Sequence, residues 1–218
     1  MPEALTLYGY RYSVYCRIVA AVLAIKRRNY SWKEVSPFGE TDPTLVKVHP
    51  FNRVPVLSHG SFTLYETAAI TGYLDRAFPQ PLLTPQDAMA EARMHQVIRI
   101  IDTYGYWPMA RQVFGQRVFR PLVGEPADET EVAQGLARSK TVLAALEDIA
   151  LEGLVLTGSH VTLADCHLAP MIAYFTAAPE GGKLLNSFPR LTAWWQSLRG
   201  APWMTLTEPD LSSLGPHA

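Results

Sequence analysis

Hydrophobic and polar positions change their period along the chain, and the changes predict its elements. Leu5-Thr6-Leu7-Tyr8 is a short β-prone run closed by Gly9. Ile18, Ala21, Val22 and Ile25 then recur at the i, i+3, i+4, i+7 spacing of one apolar helix face. Tyr30-Ser31-Trp32-Lys33-Glu34-Val35 reads as a second strand, and Ser36 to Thr44 as a loop rich in Pro, Gly, Asp and Thr. Val54-Pro55-Val56-Leu57 and Phe62-Thr63-Leu64-Tyr65 flank a turn signal at Gly60 and predict a hairpin. Ile70, Tyr73, Leu74, Ala77 and Phe78 trace another helix face. The order is β-α-β, then ββ-α.

Pro79-Gln80-Pro81 and Pro85 stop this pattern and favour an extended linker. Beyond them the strand signals vanish. Ala88 to about Gln116 has a helical pattern with a bend near Gly105 and Pro108. Val132, Leu136, Leu143, Leu146 and Ala150 mark a second long helix, Leu163 to about Phe175 a third, and Leu191 to Leu198 a fourth. The second half is all α. The basic run Lys26-Arg27-Arg28-Asn29 stands at a helix end, where cations suit the dipole, and reads as solvated surface.

Composition narrows the function classes. With 218 residues, one large domain or two small ones fit, and a hydrophobic fraction of 48% supplies a core. A formal charge of −1 without a basic stripe argues against nucleic acid. No stretch reaches the ~20 apolar residues of a membrane span, so no membrane partner is expected. Met1-Pro2-Glu3-Ala4-Leu5 has neither a basic region nor a small-residue cleavage site, so a cytoplasmic rather than secreted protein is expected. The two cysteines, Cys16 and Cys166, make neither a disulfide framework nor a zinc site.

Five places carry candidate chemistry, each with an ordinary structural alternative. Val54-Pro55 is either a trans proline opening an edge strand or a cis bond that turns the backbone N–H and C=O of Val54 outward into a cleft. Glu66-Thr67 starts a helix: it is either a cap or an amino-acid site, with helix N–H groups for a carboxylate and Glu66 for an ammonium. Ser13 begins the first helix as an N-cap, and can also donate to a thiolate that the dipole already stabilises. Cys16, three residues on, is either a buried apolar thiol or a redox centre near a helix N-terminus. Thr162-Leu163-Ala164-Asp165 fits a capping box ahead of an apolar helix, a structural role.

In order and spacing these places resemble the signature of the cytosolic glutathione transferase family. Ser13-x-x-x-Arg17, Val54-Pro55, Glu66-Thr67 and Thr162-x-x-Asp165 carry the resemblance, which spans Leu5 to Trp203. The chain looks like the bacterial, phi- or theta-like serine-type members. Its helical half is most similar to the phi class, through Gln116 to Gly124, Ala164 to Pro170 and Phe188-Pro189-Arg190-Leu191-x-x-Trp194. His49-Pro50-Phe51-Asn52-Arg53-Val54-Pro55 is close to the family's Asn-Pro-x-Gly-x-Val-Pro form. Three departures stand out: Gly39-Glu40-Thr41-Asp42 replaces a basic pair in a loop one residue shorter, Thr67 replaces Ser, and Asn52 replaces Gly.

The resemblance implies an α/β thioredoxin-like N-terminal domain, residues 1–80, that binds glutathione. It also implies an all-α C-terminal helical domain, residues 88–210, that shapes the second substrate's pocket. Ser13 would be the activating hydroxyl, with Tyr8 or Tyr12 as the next donors in reach. Val54, before Pro55, would pair with the cysteinyl backbone; Glu66 and Thr67 would hold the γ-glutamyl end. The glycyl carboxylate would fall to Arg53 or His49. An aromatic second pocket would draw on Tyr12, Phe38, Tyr106, Trp107 and Phe114, with Tyr10, Tyr104 and Met109 as further candidates. The implied function is conjugation or reduction of small hydrophobic electrophiles by the glutathione thiolate, a detoxification role. Glutathione is the co-substrate, no metal is implied, and the assembly is a homodimer. Two rivals remain: a glutathione-dependent thiol oxidoreductase using Cys16, and a non-catalytic binding module.

Overall fold

The computed structural model describes residues 4–38 and 43–213, so Gly39-Glu40-Thr41-Asp42 lies outside the described residues. The chain divides into two compact units. One runs to Leu83 and includes Leu206–Pro209; the other is Thr84–Thr205 with the residues from Asp210 on.

The first unit is built on a four-stranded mixed sheet in the order β2-β1-β3-β4. Its strands are β1 (Leu5–Gly9), β2 (Ser31–Glu34), β3 (Val56–His59) and β4 (Phe62–Tyr65). β2 runs parallel to β1, whereas β1–β3 and β3–β4 are antiparallel. The helices are α1 (Val14–Ile25), α2 (Pro43–Val48) and α3 (Thr67–Ala77). Side chains alternate across the sheet. Tyr8, Val56 and Tyr65 stand in register on one face and pack with Val35 and Leu45, the latter from α2. Leu5, Leu7 and Gly9 face the other side, against α1, and a side chain on Gly9 would meet Trp32 at 2.7 Å and the Cys16 sulfur at 2.9 Å. Only glycine fits there. α2 gives no signal in the pattern read above, because its 6 residues are under two turns.

The basic run at the end of α1 is not all surface. Lys26 is buried, and its Nζ donates to Asp75 Oδ1 at 2.5 Å and to the Pro81 carbonyl. The same Asp75 oxygen accepts the Leu83 N–H at 2.9 Å. One buried ion pair therefore joins α1 to α3 and fixes the proline segment that follows.

The second unit is helical: α4 (Ala88–Ile100), α5 (Arg120–Leu122), α6 (Glu129–Leu151), α7 (Leu163–Ala177), α8 (Pro179–Leu185), α9 (Pro189–Leu198) and α10 (Pro202–Thr205). Asp87 and Asp128 cap α4 and α6 by accepting two N–H groups each. Between α4 and α5 the helix does not stop; its turns widen to the π form over Ile101–Gly105 and Trp107–Phe119. The Tyr106 N–H reaches back five residues to Ile101 and that of Arg120 to Gly115. Ile101, Gly105, Met109 and Val113 are buried while Thr103, Trp107 and Arg111 are exposed, a repeat of four rather than 3.6. The sequence pattern predicts a bend at Gly105 and Pro108; the structure has this widening instead. α6 and α7 pack on it, and a side chain on Gly135 of α6 would meet the Gln112 Cβ at 2.7 Å.

The Thr162–Asp165 box is in place at the start of α7. Thr162 donates its N–H and its hydroxyl to Asp165 Oδ2, both at 2.7 Å, and Trp194 Nε1 donates to Oδ1 at 2.6 Å. Burial raises this carboxyl above its ordinary range, and the hydrogen bonds pull it back. Glu147 plays a similar part from α6, accepting the N–H groups of Arg190 and Leu191 at 2.9 Å each to cap α9.

Candidate functional site

Register places three of the candidate segments at one end of the sheet. Tyr8, Val56 and Tyr65 lie side by side across β1, β3 and β4. The turn after β1 carries Ser13, Val54-Pro55 enters β3, and Glu66-Thr67 leaves β4, so all three converge beyond that row.

Ser13 is the N-cap of α1, with extended backbone, and its Oγ accepts the Cys16 N–H at 3.4 Å. An accepting hydroxyl keeps its own proton for a further acceptor. Ser13 is half-buried, and its carbonyl accepts the N–H of Arg17, whose side chain is buried one turn along α1. A helix N-terminus favours an anion nearby.

Val54-Pro55 is a cis peptide. The β1–β3 and β3–β4 ladders both begin at Val56, leaving the Val54 backbone beyond them. Arg53 is exposed; Asn52, before it, has φ +50°, a left-handed conformation that Asn tolerates in place of glycine. His49 differs from its expected role. It is buried, its Nδ1 accepts the Phe51 N–H at 3.2 Å, and it packs 4.5 Å from the Tyr65 ring. Burial pushes the imidazole below its usual range, with the nearby Glu66 opposing and Arg53 adding to the shift. A neutral, buried ring brings no cation to a carboxylate, which leaves Arg53 as the basic group of this segment.

Glu66 sits at φ +71° and ψ 116° at the start of α3, and its side chain makes no capping hydrogen bond. A non-glycine residue held there costs about 1–3 kcal/mol. The strained residue is exposed and its carboxylate accepts no N–H of the helix end, so capping by hydrogen bonding does not account for Glu66. Thr67 opens the helix and is buried.

The aromatic candidates divide. Tyr12 and Phe38 gather edge-on around Tyr10, with centroids 5.3 Å and 5.5 Å from its ring. Burial, with Tyr12 and Glu34 nearby, raises the Tyr10 phenol, so it stays protonated at neutral pH. In the helical unit Trp107 and Tyr104 are exposed and Tyr106 half-buried. Phe114 is not a lining residue: it is 4% exposed and packs 4.5 Å from Tyr174 in the core of that unit. Met109 is likewise buried.

Cys16 is 1% exposed, and burial pushes its thiol up to about 12, with the Ser13 bond only partly offsetting this. At neutral pH the thiol therefore stays protonated, inert beside a reactive thiol. Iodoacetamide at pH 8 should therefore leave Cys16 unmodified in the native protein and label it in urea. Stoichiometric native labelling, read by mass spectrometry, would revive the redox reading.

Two family models match. Residues 7–82 fit the glutathione S-transferase N-terminal domain and residues 129–196 the glutathione S-transferase C-terminal domain. Glutathione S-transferase F13 of Arabidopsis thaliana is 28% identical over 213 residues, covering 96% of this chain and 97% of that protein. Glutathione S-transferase F6 of the same plant is 30% identical over 157 residues, covering 71% and 74%. The structure of glutathione S-transferase III in apo form superposes with a TM-score of 0.82 at 26% identity, covering 97% of each chain. The fold, both domain matches and the extent of these likenesses agree: the chain belongs to the glutathione S-transferase family.

Proposed function

We propose that this protein conjugates or reduces small hydrophobic electrophiles with the thiolate of glutathione, and that Ser13 stabilises the thiolate. Relatives named as glutathione S-transferases support the activity. The local geometry supports the assignment of roles. Glutathione's thiol loses its proton to solvent. The thiolate accepts the Ser13 hydroxyl, which the Cys16 N–H orients from behind. The α1 dipole favours the same negative charge. Sulfur then attacks the electrophilic carbon, a carbon–sulfur bond forms, and the leaving group departs with the electron pair. Holding both partners at contact supplies the remainder of the rate.

In this reading the Val54 backbone pairs with the cysteinyl unit, Arg53 takes the glycyl carboxylate, and Glu66 with Thr67 takes the γ-glutamyl end. Tyr12 and Phe38 are the first unit's candidates for the electrophile, and Tyr106 and Trp107 the second unit's. A serine-type, phi- or theta-like enzyme, acting as a cytoplasmic homodimer in detoxification, fits the same relatives. No helix among the described residues is long and apolar enough to cross a membrane.

The observation that carries the reading is Glu66, strained at φ +71° with no capping bond to show for it. Such strain persists where function holds it. Glu66→Ala should weaken glutathione about tenfold, the ~1.5 kcal/mol of an exposed charge-assisted hydrogen bond, and leave the melting temperature nearly unchanged. Glu66→Gly should lose the same affinity while gaining about 1 kcal/mol of stability from relieved strain. Calorimetric titration and thermal melts on both variants separate the effects. Unchanged affinity in both would remove Glu66 from the site.

A further inference from the structure

We propose that Glu34 is a positioning residue for the thiolate site: its carboxylate clamps the turn over Tyr10–Tyr12 and so sets where Ser13 presents its hydroxyl. The inference rests on the serine reading above. Glu34 ends β2 opposite Gly9, the last residue of β1. Its Oε1 accepts the backbone N–H of Arg11 at 3.0 Å, while Oε2 accepts Arg11 Nε at 3.3 Å and Trp32 Nε1 at 2.7 Å. The turn itself is closed by the Ser13 N–H on the Tyr10 carbonyl at 2.8 Å. Arg11, between those two residues, is thus held to Glu34 by its backbone as well as its side chain.

The second hold comes from the other side of Ser13. The Trp32 indole, oriented by its bond to Glu34, lies over Gly9, where a side chain would meet both the indole and the Cys16 sulfur. Cys16 in turn gives its N–H to Ser13 Oγ. One carboxylate thus holds the turn before the candidate hydroxyl and orients the ring that lies over Gly9. β2 is an edge strand whose residues are all exposed, so the sheet does not need these bonds. An ion pair with side chains 58% and 37% exposed contributes little by attraction alone. What remains is the anchored backbone N–H.

Among the described residues, the charged and titratable groups facing Glu34 are Arg11, Tyr10 and Cys16, with Tyr12 behind Tyr10; Lys33 points to the opposite face, over Tyr8. The carboxylate's own charge opposes a nearby thiolate, and its anchoring favours one. The two effects have opposite signs, and two variants separate them. Glu34→Ala loses both. Glu34→Gln keeps one oxygen for the Arg11 N–H; it loses the charge, and with it the second acceptor for Trp32 Nε1 and Arg11 Nε.

The test measures turnover of glutathione with 1-chloro-2,4-dinitrobenzene against pH for Glu34→Ala, Glu34→Gln, Ser13→Ala and the Ser13→Ala/Glu34→Ala double variant. Glu34→Ala should lower kcat at pH 7 about tenfold and move the pH–rate midpoint up by about one unit, the lesser value of a hydrogen bond to a charged group. The KM for glutathione should stay within about twofold. Glu34→Gln should recover most of kcat with its midpoint at or below the parent's, and Glu34→Ala should add nothing to Ser13→Ala. Unchanged kcat in Glu34→Ala, midpoints moving the same way in both variants, or losses that add fully to Ser13→Ala would each overturn the clamp. An inert Ser13→Ala sinks the serine reading by itself, whereas an active Ser13 with an inert Glu34 sinks only the clamp.

Discussion

Asp75→Ala should destabilise the protein by about 3–5 kcal/mol, the loss expected when one partner of a buried ion pair is removed. The Lys26 ammonium would stay buried opposite an empty site, and the Leu83 N–H would lose its acceptor. Attraction is not the main term, because moving two charges out of water offsets most of it. The loss comes from stranding the survivor. The double variant Lys26→Met/Asp75→Leu, apolar and similar in volume, should therefore recover the part due to the stranded ammonium but not the about 1–3 kcal/mol of the unpaired Leu83 N–H. Urea denaturation of the single and double variants measures both quantities. A loss below about 1 kcal/mol in Asp75→Ala would mean that the pair behaves as a surface pair.

The next largest effect is on catalysis. Ser13→Ala should move the pH–rate profile upward by about one to two units, because a hydrogen bond to a charged group is worth ~1.5–3 kcal/mol and one unit corresponds to 1.36 kcal/mol. At pH 7 this appears as a fall in turnover of about ten- to a hundredfold, recovered as pH rises. Glutathione affinity should change little, since the thiol end contributes little to holding the neutral tripeptide thiol. The cap on α1 is lost as well, at about 1 kcal/mol, so melts are needed to show that the enzyme remains folded at the assay temperature. A profile left in place would transfer the donor role to Tyr12, whose ring lies beside Tyr10 in the same turn.

What the sequence discloses follows the reach of each interaction. The Thr162–Asp165 box is local, four consecutive residues, and is legible without a structure. So is the change from strand to helix patterns, which depends only on neighbours along the chain. Lys26 is not legible: its partner Asp75 is 49 residues away, and a basic run at a helix end looks like surface until that carboxylate is in place. Phe114 misleads for a different reason. It is a candidate only by its aromatic type, and residue type does not say whether a ring lines a pocket or packs in the core, as Phe114 does against Tyr174. Glu66 is the reverse case. Its residue type suggests a cap, and only its backbone conformation distinguishes a ligand group from a cap.

The widened helix of the second unit also affects how the protein can tolerate insertions and deletions. Each π turn holds a residue more than an α turn needs, so the stretch Trp107–Phe119 contains spare length. Deleting one residue there can be absorbed by tightening a single turn, without moving α6 or α7. Side chains on either side of the tightened turn would then keep their facing, because the residue removed is the one the wide turn held in excess. In an ordinary α-helix the same deletion would turn everything beyond it by about 100°. Length variation in this helix is thus tolerated locally, at the turn where it occurs.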